Sequence, residues 1–113
     1  MIRTFYEMKH FTKRWQALGF SDEELSQLQQ ILLDNPKAGD VMKGTGGLRK
    51  IRFAFSDSGK SGSVRVCYID REEFLEIHLI DVFAKNEKEN LSKAERNAIR
   101  TVVEQIKAER LKR

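Results

Sequence analysis

Residues 44–68 read GTGGLRKIRFAFSDSGKSGSVRVCY and contain two runs in which apolar and polar side chains alternate. The first run begins at Leu48 and the second at Val64, and this alternation is typical of β-strands with one buried face. The glycine- and serine-rich segment between them, residues 56–63, is typical of a hairpin connection. The stretch therefore predicts two antiparallel strands that follow each other in the chain.

The same stretch carries basic side chains at positions that the alternation keeps together. In the first strand, Ile51 and Phe53 point to one face, so Lys50 and Arg52 point to the other. Cross-strand neighbours in an antiparallel pair lie about 5 Å apart, and the second strand contributes Arg65. Like charges so placed repel, which indicates either a solvated open face or a site for an anion. We call Lys50, Arg52 and Arg65 the basic trio.

The N-terminal third of the chain predicts a strand and two helices. IRTFY, residues 2–6, is typical of a short strand, and apolar side chains then recur at helical spacing up to Gly19. Ser21 and Glu24 have the capping-box spacing that opens a second helix. Residues 37–47 keep neither period and predict a glycine-bearing loop.

The C-terminal third predicts a buried strand and a last helix. FLEIHLIDVFA, residues 74–84, is apolar on both faces, as a strand in the middle of a sheet would be. Ser92 and Glu95 repeat the capping box before an apolar stripe. The chain thus predicts one α+β domain over residues 1–113, a small antiparallel-rich β-sheet with two N-terminal helices and a C-terminal helix. We expect the helices to cover one sheet face and to leave the other for a ligand or partner.

Composition supports one small domain with a basic centre. The chain has 113 residues, 40% of them apolar, and a net charge of +4. Residues 20–34 carry acids and no base, whereas residues 43–71 carry seven bases against two acids, so the positive charge is concentrated around the basic trio. The single cysteine, Cys67, cannot form an internal disulfide. The charged N-terminus and the lack of any apolar run near the ~20 residues of a membrane span predict a cytoplasmic protein without membrane contact.

Other candidate sites are weaker. The glycine segment GTGGLRK lacks P-loop spacing and precedes a strand rather than a helix. His10 and His78 fall in different predicted elements, so a structural role is favoured for both. Asp81 is a lone acid in an apolar strand, and we leave open whether it pairs with a base of the open face or is exposed at the strand end. No spacing indicates a metal site, and we expect no metal and no cofactor.

The chain resembles the RelE/HigB-type toxins of bacterial type II toxin–antitoxin pairs, close to the HigB branch. The resemblance rests on four segments in this order: LRKIRF, VRVCY, IHLIDVFAKNEK and a closing helix. The resemblance covers nearly the whole chain. It implies a RelE-like fold and a ribosome-dependent messenger-RNA endonuclease that inhibits translation. It also implies neutralisation by a cognate antitoxin, expected to be a helix-turn-helix protein of the HigA type, through which alone the pair would contact operator DNA.

The resemblance also implies roles for individual residues. Lys50 and Arg52 match the basic pair of the family's second strand, Arg65 matches the arginine of its third, and Lys85 stands in the basic segment after its fourth. Many members carry an arginine and a tyrosine in that last segment, where this chain has Asn86 and Ser92. Further RNA contacts are expected from four residues, Lys43, Arg49, Asn86 and Lys88.

Metal-free RNA cleavage gives these positions a chemical meaning. The neighbouring 2′-hydroxyl attacks the phosphate, so the site needs a base, donors for the charged phosphorane and an acid for the departing 5′-oxygen. Neighbouring cations disfavour the charged form of a lysine, which suits Lys50 as the base. Arginine stays charged and binds phosphate oxygens bidentately, so Arg52 and Arg65 are the expected donors, with Lys85 as the acid.

Two other functions remain open on the sequence. ParE-type toxins resemble the same fold but inhibit DNA gyrase through protein contact, and that function has no use for the basic trio. A non-catalytic module that binds RNA or the ribosome would use the same bases only to hold phosphates. Cleavage of RNA distinguishes the endonuclease from both.

Overall fold

The computed structural model describes residues 2–54, 63–84 and 90–111, which form one mixed sheet, three α-helices and a short 3₁₀ helix, Glu72–Phe74. Within these residues the strands are ordered β1-β5-β4-β3-β2; β1 and β5 are parallel and all other neighbours antiparallel. The predicted α+β class is confirmed. The strands are β1 (Thr4–Glu7), β2 (Asp40–Val41), β3 (Arg49–Ala54), β4 (Ser63–Arg71) and β5 (Glu76–Ala84), and the helices are α1 (Lys9–Ala17), α2 (Asp22–Asp34) and α3 (Lys93–Leu111).

Both predicted capping boxes are confirmed. At the start of α2 the Ser21 hydroxyl accepts the Glu24 amide, and the Ser21 amide donates to the Glu24 carboxylate at 2.9 Å. At α3 the Ser92 amide donates to the Glu95 carboxylate at 2.8 Å, and the Glu95 amide donates to the Ser92 hydroxyl at 3.1 Å. Each box satisfies two amide groups that lie outside the helical hydrogen-bond pattern, so it fixes where its helix begins.

One face of the sheet packs against α1 and α2. Phe11 and Trp15 of α1, with Leu28 and Leu32 of α2, are buried against apolar side chains that β3, β4 and β5 direct to this face. Trp15 stacks on Phe11 with ring centroids 5.5 Å apart. We call this the α1/α2 face. The sheet contributes Phe53, Val64, Val66, Tyr68, Ile77, Leu79 and Val82 to its core.

The opposite face is covered by α3, so the expectation that the helices leave one sheet face open is wrong. Val103 of α3 is fully buried in a second core, and Ile99 and Ile106 pack against it. This core also contains Cys67, Ile69, Ile80 and Phe83 from β4 and β5. Both long strands are therefore apolar on both faces, and exposing either row to water would be unfavourable. We call this side the α3 face.

The segment predicted as a loop, residues 37–47, includes the two-residue strand β2, which the sequence did not indicate. Its pairing with β3 extends the sheet by one short edge strand. The hairpin connection predicted for residues 56–63 lies outside the described residues except for Ser63. No helix among residues 2–54, 63–84 and 90–111 is long and apolar enough to cross a membrane.

The turn between β2 and β3 is packed against α3. Gly46 has a φ of +76°, and a Cβ atom there would lie 3.1 Å from Cγ1 of Val103. The Lys107 ammonium donates to the Gly46 carbonyl at 2.7 Å. The turn therefore approaches α3 at a position where any side chain would meet the helix.

Gly46→Ala should lower the free energy of unfolding by about 2 to 4 kcal/mol, because it adds overpacking against Val103 to backbone strain. Gly44→Ala is the matched control: Gly44 has a φ of +75° but nothing within 4 Å of an added Cβ. The control should lose only about 1 kcal/mol, the strain contribution. Urea denaturation measures both losses. Equal losses would show that α3 does not constrain the turn.

Candidate active site

The basic trio lies together on the α3 face, at the end of the sheet formed by β3 and β4. Arg52 and Arg65 are directly opposite each other in the β3–β4 register, and Lys50 is opposite Cys67. Cys67 belongs to the core beneath α3, and Arg65 is next to Phe83 of that core on the β5 side. Because partners in a ladder share a face, all three cations point to the side that α3 partly covers.

The three side chains differ in how they are held. Arg52 is exposed, whereas Lys50 and Arg65 are half-buried. The Arg65 guanidinium donates to the hydroxyl of Ser63, two residues earlier on the same strand, at 3.2 Å. The Lys50 ammonium donates to Oδ1 of Asn90, just before α3, at 3.2 Å. Two of the three cations are thus fixed by neutral oxygen acceptors, which orient them without neutralising them.

The charge of this corner of the sheet is strongly positive. Three cations occupy neighbouring positions, and among the described residues the acid directly opposite one of them in the ladder is Asp40 of β2, which pairs with Lys50. Like charges directly across a ladder destabilise it unless solvent or a bound anion screens them. An anion with several oxygens, such as a phosphate ester, would lower this repulsion while accepting hydrogen bonds from both guanidinium groups.

Arg49, predicted to contact RNA, lies on the other side of the sheet from the trio. It is opposite Tyr68 in the register, and its guanidinium donates to the carbonyls of Gly39 at 2.7 Å and Lys37 at 3.3 Å. Tyr68 donates to the Pro36 carbonyl and accepts the Gly39 amide. Burial raises the pKa of the Tyr68 phenol, an effect that the Gly39 amide and the charge of Arg49 oppose. Arg49 therefore organises the connection between α2 and β2.

The other predicted positions fall into two groups. Lys43 is exposed in the turn after β2. Lys85, predicted as the acid, and Asn86 and Lys88, predicted as RNA contacts, lie outside the described residues. The structure thus brings Lys50, Arg52 and Arg65 together and places Arg49 apart from them.

Asp81 is buried and pairs with His10 of α1, so both interpretations of this acid, pairing with a base of the open face and exposure at a strand end, were wrong. Its Oδ1 lies 2.9 Å from Nε2 of His10 and accepts the Val82 amide at 2.8 Å. The cause is a bulge: Tyr68 pairs with Leu79 but Cys67 pairs with Asp81, so β5 has one extra residue. The bulge turns Asp81 to the α3 face, where strict alternation would have placed it with Leu79.

A groove of about 290 Å³ lies beside this pair, between the start of α1, β5 and α3. Its floor is mostly apolar, and the His10–Asp81 pair forms part of its wall. Cys67 of β4 separates Asp81 from Lys50 in the register, so the groove is not continuous with the trio along this row of the ladder.

The second histidine, His78, does not pair with His10. Its Nε2 lies 3.1 Å from the Glu76 carboxylate. Among the described residues, no three side chains of His, Cys, Asp or Glu are placed to hold a metal ion.

Sequence reasoning missed Asn90 and Ser63 as the hydrogen-bond acceptors of Lys50 and Arg65. Ser63 is detectable in principle, because it precedes Arg65 by two positions on the same strand face. Asn90 is separated from Lys50 by 40 residues. No periodicity within one element connects two such positions, so only the packing of α3 reveals the contact.

Comparison with known proteins adds family information to this geometry. A family model described as the RelE toxin of the RelE/RelB toxin–antitoxin system matches residues 2–113. The structure of free E. coli toxin RelE, as a mutant, aligns with a TM-score of 0.54 at 18% identity, covering 79% of this chain and 90% of that one. A chain of the intact E. coli RelBE toxin–antitoxin complex aligns with a TM-score of 0.52 at 21% identity, covering 73% and 94% respectively. At these identities the two structures show a shared fold.

Replacing Arg49 or Arg52, two arginines of β3, by alanine should change the free energy of unfolding by different amounts. Arg49→Ala should lower the free energy of unfolding by about 1 to 3 kcal/mol, because charge-assisted hydrogen bonds to the α2–β2 connection are lost. Arg52→Ala, the control on the same strand, should change it by no more than about 0.5 kcal/mol, because Arg52 is exposed and faces another cation. Urea denaturation gives both values. A stable Arg49→Ala protein would remove the structural role of Arg49.

Proposed function

Because the chain belongs to the RelE toxin family, we propose that it is a ribosome-dependent messenger-RNA endonuclease that arrests translation. The observation that supports this function is the basic trio, which places one lysine and two arginines on one sheet face at neighbouring ladder positions. The proposal includes the HigB-like branch and a cytoplasmic site of action, both carried over from the sequence resemblance.

The chemistry proposed for the trio divides into proton transfer and charge stabilisation. Lys50 takes the proton of the attacking 2′-hydroxyl, and its hydrogen-bond partner Asn90 is a neutral amide that adds no charge beside the amine. Arg52 and Arg65 donate to the non-bridging oxygens as negative charge develops on the phosphorane. Lys85 is proposed, from the sequence alone, to protonate the departing 5′-oxygen.

An inhibitory partner completes the proposal. The E. coli RelBE structure contains a toxin and its antitoxin, and by analogy we propose a cognate antitoxin for this chain, of the HigA type. An inhibitor has two physical routes: it matches the positive charge of the trio, or it blocks entry of the toxin to the ribosome. Either route prevents messenger cleavage.

The endonuclease is preferred to a gyrase inhibitor because it uses the trio. Contact with a protein surface does not require three cations whose charges repel one another at ladder distance, whereas phosphoryl chemistry does benefit from them. Expression of the protein in cells tests the choice. Messenger cuts inside translated regions are expected, whereas intact messages with gyrase-dependent DNA breaks would overturn the endonuclease.

Single-turnover cleavage on programmed ribosomes tests the roles within the trio. Lys50→Ala should slow cleavage by at least about a hundredfold with a smaller effect on ribosome affinity, because general-base catalysis contributes about 10² to 10⁴. Arg65→Lys keeps the charge but loses the planar fork, so it should still slow cleavage by about tenfold or more. A matched control is Arg100→Ala, which removes an exposed cation from α3.

The control should cut like the parent protein. If Lys50→Ala and Arg65→Lys also cut and bind like the parent protein, the trio is only a solvated surface. If the variants bind weakly in proportion to their loss of cleavage, the trio holds RNA without catalysing its cleavage.

Neutralisation is tested with the product of any small open reading frame that is found beside the gene. Co-expression with it should restore growth, and the purified complex should cut no messenger on ribosomes that the free toxin cleaves. Ribosome binding of the complex, followed by sedimentation, separates the two routes of inhibition. A complex that docks on ribosomes and cuts would exclude the neighbouring product as the antitoxin.

A further inference from the structure

We propose that Asn90 is the positioning residue for Lys50. Its amide oxygen is a neutral acceptor that holds the lysine amine in one place within the trio. This role rests on the proposed function, because it concerns the same cleavage reaction. Among the described residues, the Asn90 side chain is hydrogen-bonded to the amine of Lys50 and to the Leu91 amide, and to neither of the two arginines. It acts through Lys50 and not on the RNA.

The orientation of the Asn90 amide follows from its two partners. Oδ1 accepts from Nζ of Lys50 at 3.2 Å and from the backbone amide of Leu91 at 3.0 Å. Both partners are donors, so the oxygen and not the nitrogen of the amide must face them. The Leu91 amide thereby orients the Asn90 side chain independently of its contact with the lysine.

The chain next to Asn90 is anchored on its C-terminal side. Leu91 is 5% exposed and belongs to the core beneath α3, and Ser92 caps the helix immediately afterwards. Asn90 is therefore followed in the chain by a buried residue, Leu91, and then by the hydrogen-bonded helix cap at Ser92. Lysine has four rotatable side-chain bonds, and holding its amine at one place needs such a fixed acceptor.

A neutral acceptor also suits the protonation state that a general base requires. A deprotonated lysine amine can donate one N–H to Asn90 and still direct its lone pair at a substrate proton. A carboxylate at the same place would stabilise the ammonium form and so remove the base. An asparagine holds the amine without that effect, which makes the identity of residue 90 decisive.

The charges around Lys50 come from every element that meets it. Arg52 and Arg65 are directly opposite each other in the β3–β4 ladder, and Asp40 of β2 is opposite Lys50. The groups that face it from β2, β3, β4, β5 and the α3 side are Asp40, Arg52, Arg65, Cys67, Asp81 beyond Cys67, and Asn90. Asn90 is the one among them that is hydrogen-bonded to the amine.

Asn90→Asp tests the inference, because the carboxylate keeps an acceptor for the Leu91 amide and adds only charge. Single-turnover cleavage should fall about tenfold near neutral pH, and the rising part of the pH–rate profile should move to higher pH. Asn90→Ala should slow cleavage without that displacement. Asn97→Asp, which adds the same charge on the exposed surface of α3, is the matched control and should keep the parent profile.

A second measurement needs neither RNA nor ribosomes. Amine-reactive reagents attack neutral lysine, so Lys50 in Asn90→Asp should be acylated several-fold more slowly than in the parent or in Asn97→Asp, as followed by mass spectrometry. If the parent cuts RNA and Asn90→Asp matches it in both profile and labelling, Asn90 has no positioning role. A parent protein that cuts no RNA would instead overturn the proposed function, and the catalytic part of this inference with it.

Discussion

The pairing of β4 with β5 constrains everything else in this molecule. Each strand has nine residues, and most of these residues are buried whichever face of the sheet they point to. Neither face of this pair can be left to water, so α1 and α2 pack on one and α3 on the other. The basic trio lies where that cover ends: Cys67 is fully buried, Lys50 opposite it is half-buried, and Arg52 is exposed. The site is thus a border between core and solvent, where cations can be oriented without full desolvation.

That position also explains how three like charges are tolerated. A fully buried cation would require a compensating anion, and fully solvated cations would keep freely moving side chains. At the border, Lys50 and Arg65 each donate to a neutral oxygen, while Arg52 remains in water. The repulsion between Arg52 and Arg65 across the ladder persists in the free protein. A phosphate group bound as we propose would relieve it, most strongly when its negative charge is greatest.

Periodicity and capping predicted the elements, because both are properties of neighbouring residues: the period of two placed Lys50 and Arg52 on one face, and Ser21 and Ser92 marked their helix starts. Contacts between distant elements were not predictable in the same way. The sequence showed residues 74–84 to be apolar on both faces but did not show that α3 covers the second one. A bulge carries no pattern of its own, so Asp81 could not be assigned to His10. Arg49 alternates correctly with Lys50, yet its hydrogen bonds to two carbonyls depend on a loop path that no period encodes.

The fold itself does not specify RNA cleavage, since it is shared here with structures at 18% and 21% identity and a fold can carry unrelated functions. The chemistry depends on how precisely a few flexible side chains are held. A lysine on an exposed edge of a sheet samples many rotamers, and a base placed 1 Å away from its proton loses much of its effect. In the role proposed for Asn90 this order comes from the core: Leu91 is buried, its amide donates to Asn90, and Asn90 accepts from the amine of Lys50. The α3 face therefore contributes to the site through packing, although none of its apolar residues has chemistry of its own.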